Sequence, residues 1–126
     1  MEKQIIQTNA APAPIGPYSQ AVKLGAFLFV SGQISLDSVT GSLVTSGIEQ
    51  ETEKVMENIG AILKAAGMDF TNVVKSTIFL TDMGQFNDVN EVYGRYFGDQ
   101  APARETVQVA ALPKGVRVEI SVIAGS

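Results

Sequence analysis

The segment that most restricts what this chain can become runs from Ile48 to Ala66. Ile48, Thr52, Val55, Met56, Ile59, Ile62, Leu63 and Ala66 recur at intervals of three and four, while Glu49, Glu51, Glu53, Lys54, Glu57 and Lys64 largely take the other faces. A helix with one apolar stripe needs another layer to cover it, so the rest of the chain must supply that layer. Ser46 and Glu49 stand at capping-box spacing ahead of the helix, and Gly67 supplies the stop. The acidic residues of its first half suit both the helix dipole and solvation, and the charge run is assigned no catalytic role.

The covering layer is read from period-two and β-branched runs at residues 3–7, 18–24, 27–33, 73–81, 106–110 and 116–123. Residues 8–17 hold three prolines and a glycine, which forbid regular pairing and make an extended loop; 38–47 is a second, polar loop. Asp82 and Gln85 mark another capping box, after which Phe86, Val89, Tyr93, Tyr96 and Phe97 line one face of a second helix closed by Gly98. This aromatic stripe reads as core. The order strand, hairpin, helix, strand, helix, hairpin predicts an α+β fold: a mainly antiparallel six-stranded sheet with two helices on one face. The other face is left for subunit contact.

At 126 residues the chain suits a single domain, 1–126, with a core of its own. The formal net charge is -4 and no run of Lys or Arg exceeds one residue, so the phosphate-binding footprint of a nucleic-acid protein is missing. Cys and His both number 0, which excludes thiol nucleophiles, disulfides, the usual zinc sites and imidazole catalysis. Acid–base work falls to Glu, Asp, Tyr, Lys or bound water. There is no apolar signal core at the N-terminus and no stretch of 18 apolar residues; a soluble, cytoplasmic protein without membrane contact is expected. Apolar residues with glycine reach about 55%, above the roughly 45–50% that is usual, and this surplus leans toward an oligomer.

Two charges in the last quarter draw attention. Arg104 stands at the mouth of the run 106–110, and Glu119 lies between Val118 and Ile120 in the run 116–123, beyond the turn 112–115 (LPKG). A guanidinium that grips a carboxylate at two points, near a carboxyl in an apolar wall, would make a binding and protonation pair for a small organic acid. The plainer alternative, Glu119 facing water on a half-exposed strand and Arg104 solvated in a loop, is the more ordinary reading of these two residues taken alone. Ser31 and Gly32 end another strand, where a glycine lets backbone amides approach a ligand; a simple turn fits as well. Asn90 follows Val89 at the edge of the core-facing stripe, exposed or partnered.

The segments 15–20 (IGPYSQ), 30–33 (VSGQ), 88–90 (DVN), 102–104 (PAR) and 118–120 (VEI), in this order and spacing, closely resemble the RidA (YjgF) family of reactive enamine/imine intermediate deaminases. The likeness spans essentially the whole chain. It implies a chorismate-mutase-like fold in a homotrimer, with clefts at the subunit interfaces. By the same resemblance Arg104 holds the substrate carboxylate, Glu119 positions or activates water, and Tyr18, Ser31 and Asn90 line the pocket. Backbone amides near Gly32 and Thr106 are expected to add hydrogen bonds. Thr106 departs from a position that is often Cys, which removes thiol redox control and leaves deamination open. The implied activity is that of a 2-iminobutanoate/2-iminopropanoate deaminase, with no metal or organic cofactor and with a small imine or 2-keto acid as ligand. The rivals are a non-catalytic 2-keto acid sensor using the same cleft and, as the poorest fit, an RNA-cleaving translation inhibitor.

Overall fold

A computed structural model describes residues 1–126. Six strands, β1 (Gln4–Ile6), β2 (Ala21–Leu24), β3 (Phe27–Gln33), β4 (Val73–Leu80), β5 (Ala103–Gln108) and β6 (Val118–Gly125), form one sheet in the order β1-β2-β3-β6-β4-β5. Helices α1 (Ile48–Ala65) and α2 (Phe86–Gly94) cover one of its faces. Only the β4–β5 pair is parallel; the others are antiparallel. The α+β architecture expected from the periodicities is therefore the observed one.

The core lies between the helices and the sheet. From α1 it takes Val55, Met56, Ile59, Ile62 and Leu63, each 0% exposed, and from the sheet Leu28, Leu80, Val118 and Ile120, also 0%. Each such side chain contributes about 1.5–3 kcal/mol through removal from water. Strand β6 sits centrally because Val118, Ile120, Val122 and Ala124 are all buried on the helix side. Strand β5, mostly exposed, takes the sheet's edge.

The expected last hairpin does not form. β5 and β6 flank β4 on opposite sides. The chain leaves β4, crosses through α2 and returns as a parallel β5, the connection that a helix between two strands permits. The turn at 112–115 is real, a short 3-10 segment Pro113–Gly115 with Lys114 at φ 56° and Gly115 at φ 70°, yet it carries the chain past the end of β4.

Two helix starts also differ. Gly47, extended at φ 166°, precedes α1 and no side chain caps it, so Ser46 is not the cap. Asp82 does act as a cap, accepting from Gly84 N at 2.8 Å, but for a 3-10 turn (Met83–Gln85) ahead of α2. Helix α2 ends at Gly94, short of Gly98; Tyr96 and Phe97 lie beyond it and pack on Phe70, with ring centroids 5.1 and 5.7 Å away. Gly67 ends α1 as expected, in the left-handed region at φ 73°.

Glu51 departs from the solvated charge run as well. It is 3% exposed and paired with Arg117, whose Nε also donates to Glu51 Oε1 at 3.3 Å. This pair ties the first turn of α1 to the residue before β6. No helix is long and apolar enough to cross a membrane.

Candidate functional site

Glu119 projects from the sheet face that the helices leave open, because its strand neighbours Val118 and Ile120 point into the core. Its carboxyl forms the wall of a cavity of about 390 Å³ whose apolar lining comes from Ile15, Ile34 and Pro113 and whose polar lining comes from Tyr18 and Ser31, beside Gly32. No cation stands beside the carboxyl, and burial pushes its pKa above the ordinary glutamate value. Glu119 is thus neither fully solvated nor paired with a cation of its own chain.

Irregular pairing builds this wall. Val30 pairs with Val122 and Gln33 with Ile120, so three steps along β3 span two along β6, and Ser31 and Gly32 form a bulge. The Ser31 hydroxyl donates to Ser19 O at 2.6 Å, and Ser31 N donates to Gln20 O at 2.9 Å, locking the bulge to the segment entering β2. Gln20, 2% exposed, secures the proline loop in turn. Its Nε2 donates to Thr8 O, Ala11 O and Pro12 O at 3.0, 3.2 and 2.8 Å, and its Oε1 accepts from Thr8 N at 2.7 Å. The loop so held presents Ile15 and Tyr18 to the cavity, with Ile15 N donating to the Tyr18 hydroxyl at 3.4 Å. Asn58 of α1 reaches beneath to the carbonyls of Ile34 and Leu36 at 3.0 and 2.9 Å.

Arg104 stands elsewhere. It lies within β5, opposite Ser76 of β4, whose buried hydroxyl accepts from the Tyr93 hydroxyl of α2 at 2.9 Å. That register puts Arg104 on the helix side of the sheet. One guanidinium nitrogen, Nη1, donates to Asn90 Oδ1 on α2, and Cζ sits 5.4 Å from the ring centroids of both Phe86 and Tyr93. Fixed in this way, the guanidinium keeps its Nη2 edge open for a carboxylate. Burial raises the Tyr93 pKa, opposed by the Ser76 bond and by the Arg104 charge. Thr106 lies two residues on, on the same side, and its Oγ1 is a buried oxygen with no partner.

The expected residues therefore fall into two groups. Tyr18, Ser31, Gly32 and Glu119 share the open-face cavity; Asn90, Arg104 and Thr106 share the β5–α2 edge. One chain does not bring the groups together. Phe79 pairs with both Glu119 and Val107, so Arg104 lies three residues along and two strands across from Glu119, roughly 14 Å through the backbone, and on the opposite face. Gln20, Ile15, Ile34 and Pro113 on one side, and Phe86 and Tyr93 on the other, are site-building residues that the motifs alone did not single out. Gln20 closes the very segment 15–20 that carried the resemblance, and Tyr93 belongs to the aromatic stripe read as core.

The chain was compared with known proteins. A sequence model of the family described as Endoribonuclease L-PSP matches residues 8–126. A human protein named 2-iminobutanoate/2-iminopropanoate deaminase is 52% identical over 122 residues, covering 97% of this chain and 89% of its own. The crystal structure of RidA from an Antarctic Psychrobacter superposes with a TM-score of 0.94 at 47% identity, covering 98% of this chain and 99% of that one. That of E. coli TdcF with bound serine does so with a TM-score of 0.94 at 41% identity, covering 98% of each. A family match over nearly the whole chain, together with relatives of this similarity and coverage, places the protein in the endoribonuclease L-PSP family, the YjgF/RidA family.

Proposed function

We propose that this protein is a 2-iminobutanoate/2-iminopropanoate deaminase that hydrolyses reactive imines released by pyridoxal-phosphate enzymes, acting in the cytoplasm as a homotrimer in metabolite damage control. The observation that carries the reading is the half-buried, unpaired Glu119 carboxyl in an apolar cavity, set beside a relative of that name at 52% identity.

In this reading the substrate carboxylate lies on the free edge of Arg104, which supplies both charge and orientation. Water adds to the imine carbon of R–C(=NH2⁺)–COO⁻; the C–N double bond becomes single, and the carbinolamine expels ammonia as the new oxygen forms a carbonyl. The products are a 2-keto acid and ammonium, so atoms and charge balance. Glu119 steers the water, takes its proton and returns it to the departing nitrogen; a carboxyl with a raised pKa is the better donor near neutral pH.

A complete site requires two copies, with Arg104 from one meeting Glu119 of the next. A head-to-tail interface that closes after three copies meets this need. The open face supports it, since Ile5, Phe27 and Phe29 on that face are 50%, 52% and 46% exposed.

The test is a coupled assay in which a threonine dehydratase supplies the imine. Hydrogen bonds to charged groups contribute about 1.5–3 kcal/mol each, so losing a two-point grip in Arg104→Ala should lower kcat/KM by about 10² or more while the oligomer stays folded. Unchanged hydrolysis by that variant would refute the role of Arg104. A wild type that binds 2-keto acids without turnover would instead establish a sensor.

A further inference from the structure

We propose that Gly32 is a positioning residue for Glu119: the missing side chain at the β3 bulge is what allows the Glu119 carboxyl to lie back against the sheet inside the cavity. The inference rests on the deaminase reading only for the use to which that carboxyl is put.

The reason for a glycine here is space. Gly25, Gly41, Gly67 and Gly115 have positive φ values, whereas the Gly32 backbone is outside that region and is open to any residue. A Cβ built on Gly32 would overlap Glu119 Oε2 and stand 2.8 Å from Cδ and 3.1 Å from Cγ. The three nearest atoms all belong to one flexible side chain, so an alanine leaves the strand in place and displaces the glutamate. The bulge creates the arrangement, setting Ser31 and Gly32 against the stretch of β6 just beyond Glu119. The cavity in front of the displaced carboxyl gives it room to move outward, toward water.

Few other charges face this carboxyl. β3 has no titratable side chain. From β4 comes Lys75 on the same face, held by Glu105 at 3.3 Å, and the proline loop contributes Tyr18. Burial is accordingly the chief influence on Glu119, and moving it to water relieves that influence.

The experiment uses the assembled full-length protein labelled with carbon-13 at glutamate side-chain carboxyls, with Glu119→Gln identifying the resonance. In Gly32→Ala the Glu119 titration should move down toward the ordinary glutamate range, and kcat for the imine should fall by about 10-fold or more with little change in KM, since Arg104 still holds the carboxylate. Gly32→Ala/Glu119→Asp, with one methylene removed, should be more active than the product of the two single losses. An unmoved titration in Gly32→Ala overturns the inference, whether kcat holds or falls, because a fall would then come from the backbone at residue 32 itself. A shifted titration in a protein that hydrolyses no imine leaves the positioning role standing and removes the deaminase reading.

Discussion

If each active site is built from two chains, two inactive variants should repair one another. Arg104→Ala lacks the cation at the β5–α2 edge and keeps the Glu119 cavity; Glu119→Gln lacks the carboxyl and keeps the edge. The roughly 14 Å and the intervening sheet between these positions prevent one chain from combining them. In a trimer with one site per interface, a site is whole only when its Arg104 comes from a Glu119→Gln chain and its Glu119 from an Arg104→Ala chain. In a mixed trimer, whichever variant is present twice, just one of the three interfaces meets both conditions, so about a third of its sites are restored. Each parent should retain about 1% of activity or less, from the loss of about 3 kcal/mol at the transition state. The two variants, carrying different affinity tags, would be co-expressed, the mixed species isolated and their ratio verified by native mass spectrometry, and the rate compared with wild type in the dehydratase-coupled assay. Recovery near one third of the wild-type rate supports the two-chain site. Verified mixed trimers no more active than their parents would refute it, as would a monomer with full activity.

Two further outcomes concern stability. The folded-state pKa of Glu119 is raised, so the folded form holds its proton more tightly than the unfolded chain, and stability falls as pH rises from the unfolded pKa through the folded one. Glu119→Gln should therefore unfold at or above the wild-type temperature at pH 7 and lose that advantage below the unfolded pKa; a lower Tm at pH 7 would show that the carboxylate is favourably held. Breaking a buried ion pair costs about 3–5 kcal/mol, and because the Arg117 side chain keeps 39% exposure the cost drops below that range: Arg117→Ala, which strands Glu51, should cost about 2–3 kcal/mol. Thermal unfolding at fixed protein concentration checks it, and a Tm within 2–3 °C of wild type, the equivalent of roughly 0.5 kcal/mol, would mean that water reaches Glu51.

Local patterning determined much of this protein. The three-and-four spacing of Ile48 to Leu63 demanded a helix against a sheet, the alternation around Val118, Ile120 and Val122 demanded a strand with one buried side, and Glu119 between them had to point the other way. Its candidacy as a site residue was legible for the same reason, an acid out of place among apolar neighbours. The five short motifs, taken together, marked the family. What the pattern along the chain did not contain was pairing at a distance. Turn 112–115 suggested a hairpin, and the decision between that and two strands flanking β4 belongs to the central place that a strand as apolar as β6 must occupy. Likewise Glu51 looked like one more solvated acid until the fold brought Arg117 to it. Gln20, a polar residue with no local partner, became the anchor of the proline loop only when Thr8, Ala11 and Pro12 closed around it. The two halves of the candidate site lay on opposite faces for a reason of the same kind: a period of two dictates which face each side chain takes within its strand, whereas the face shared by two strands depends on a register that only the assembled sheet sets.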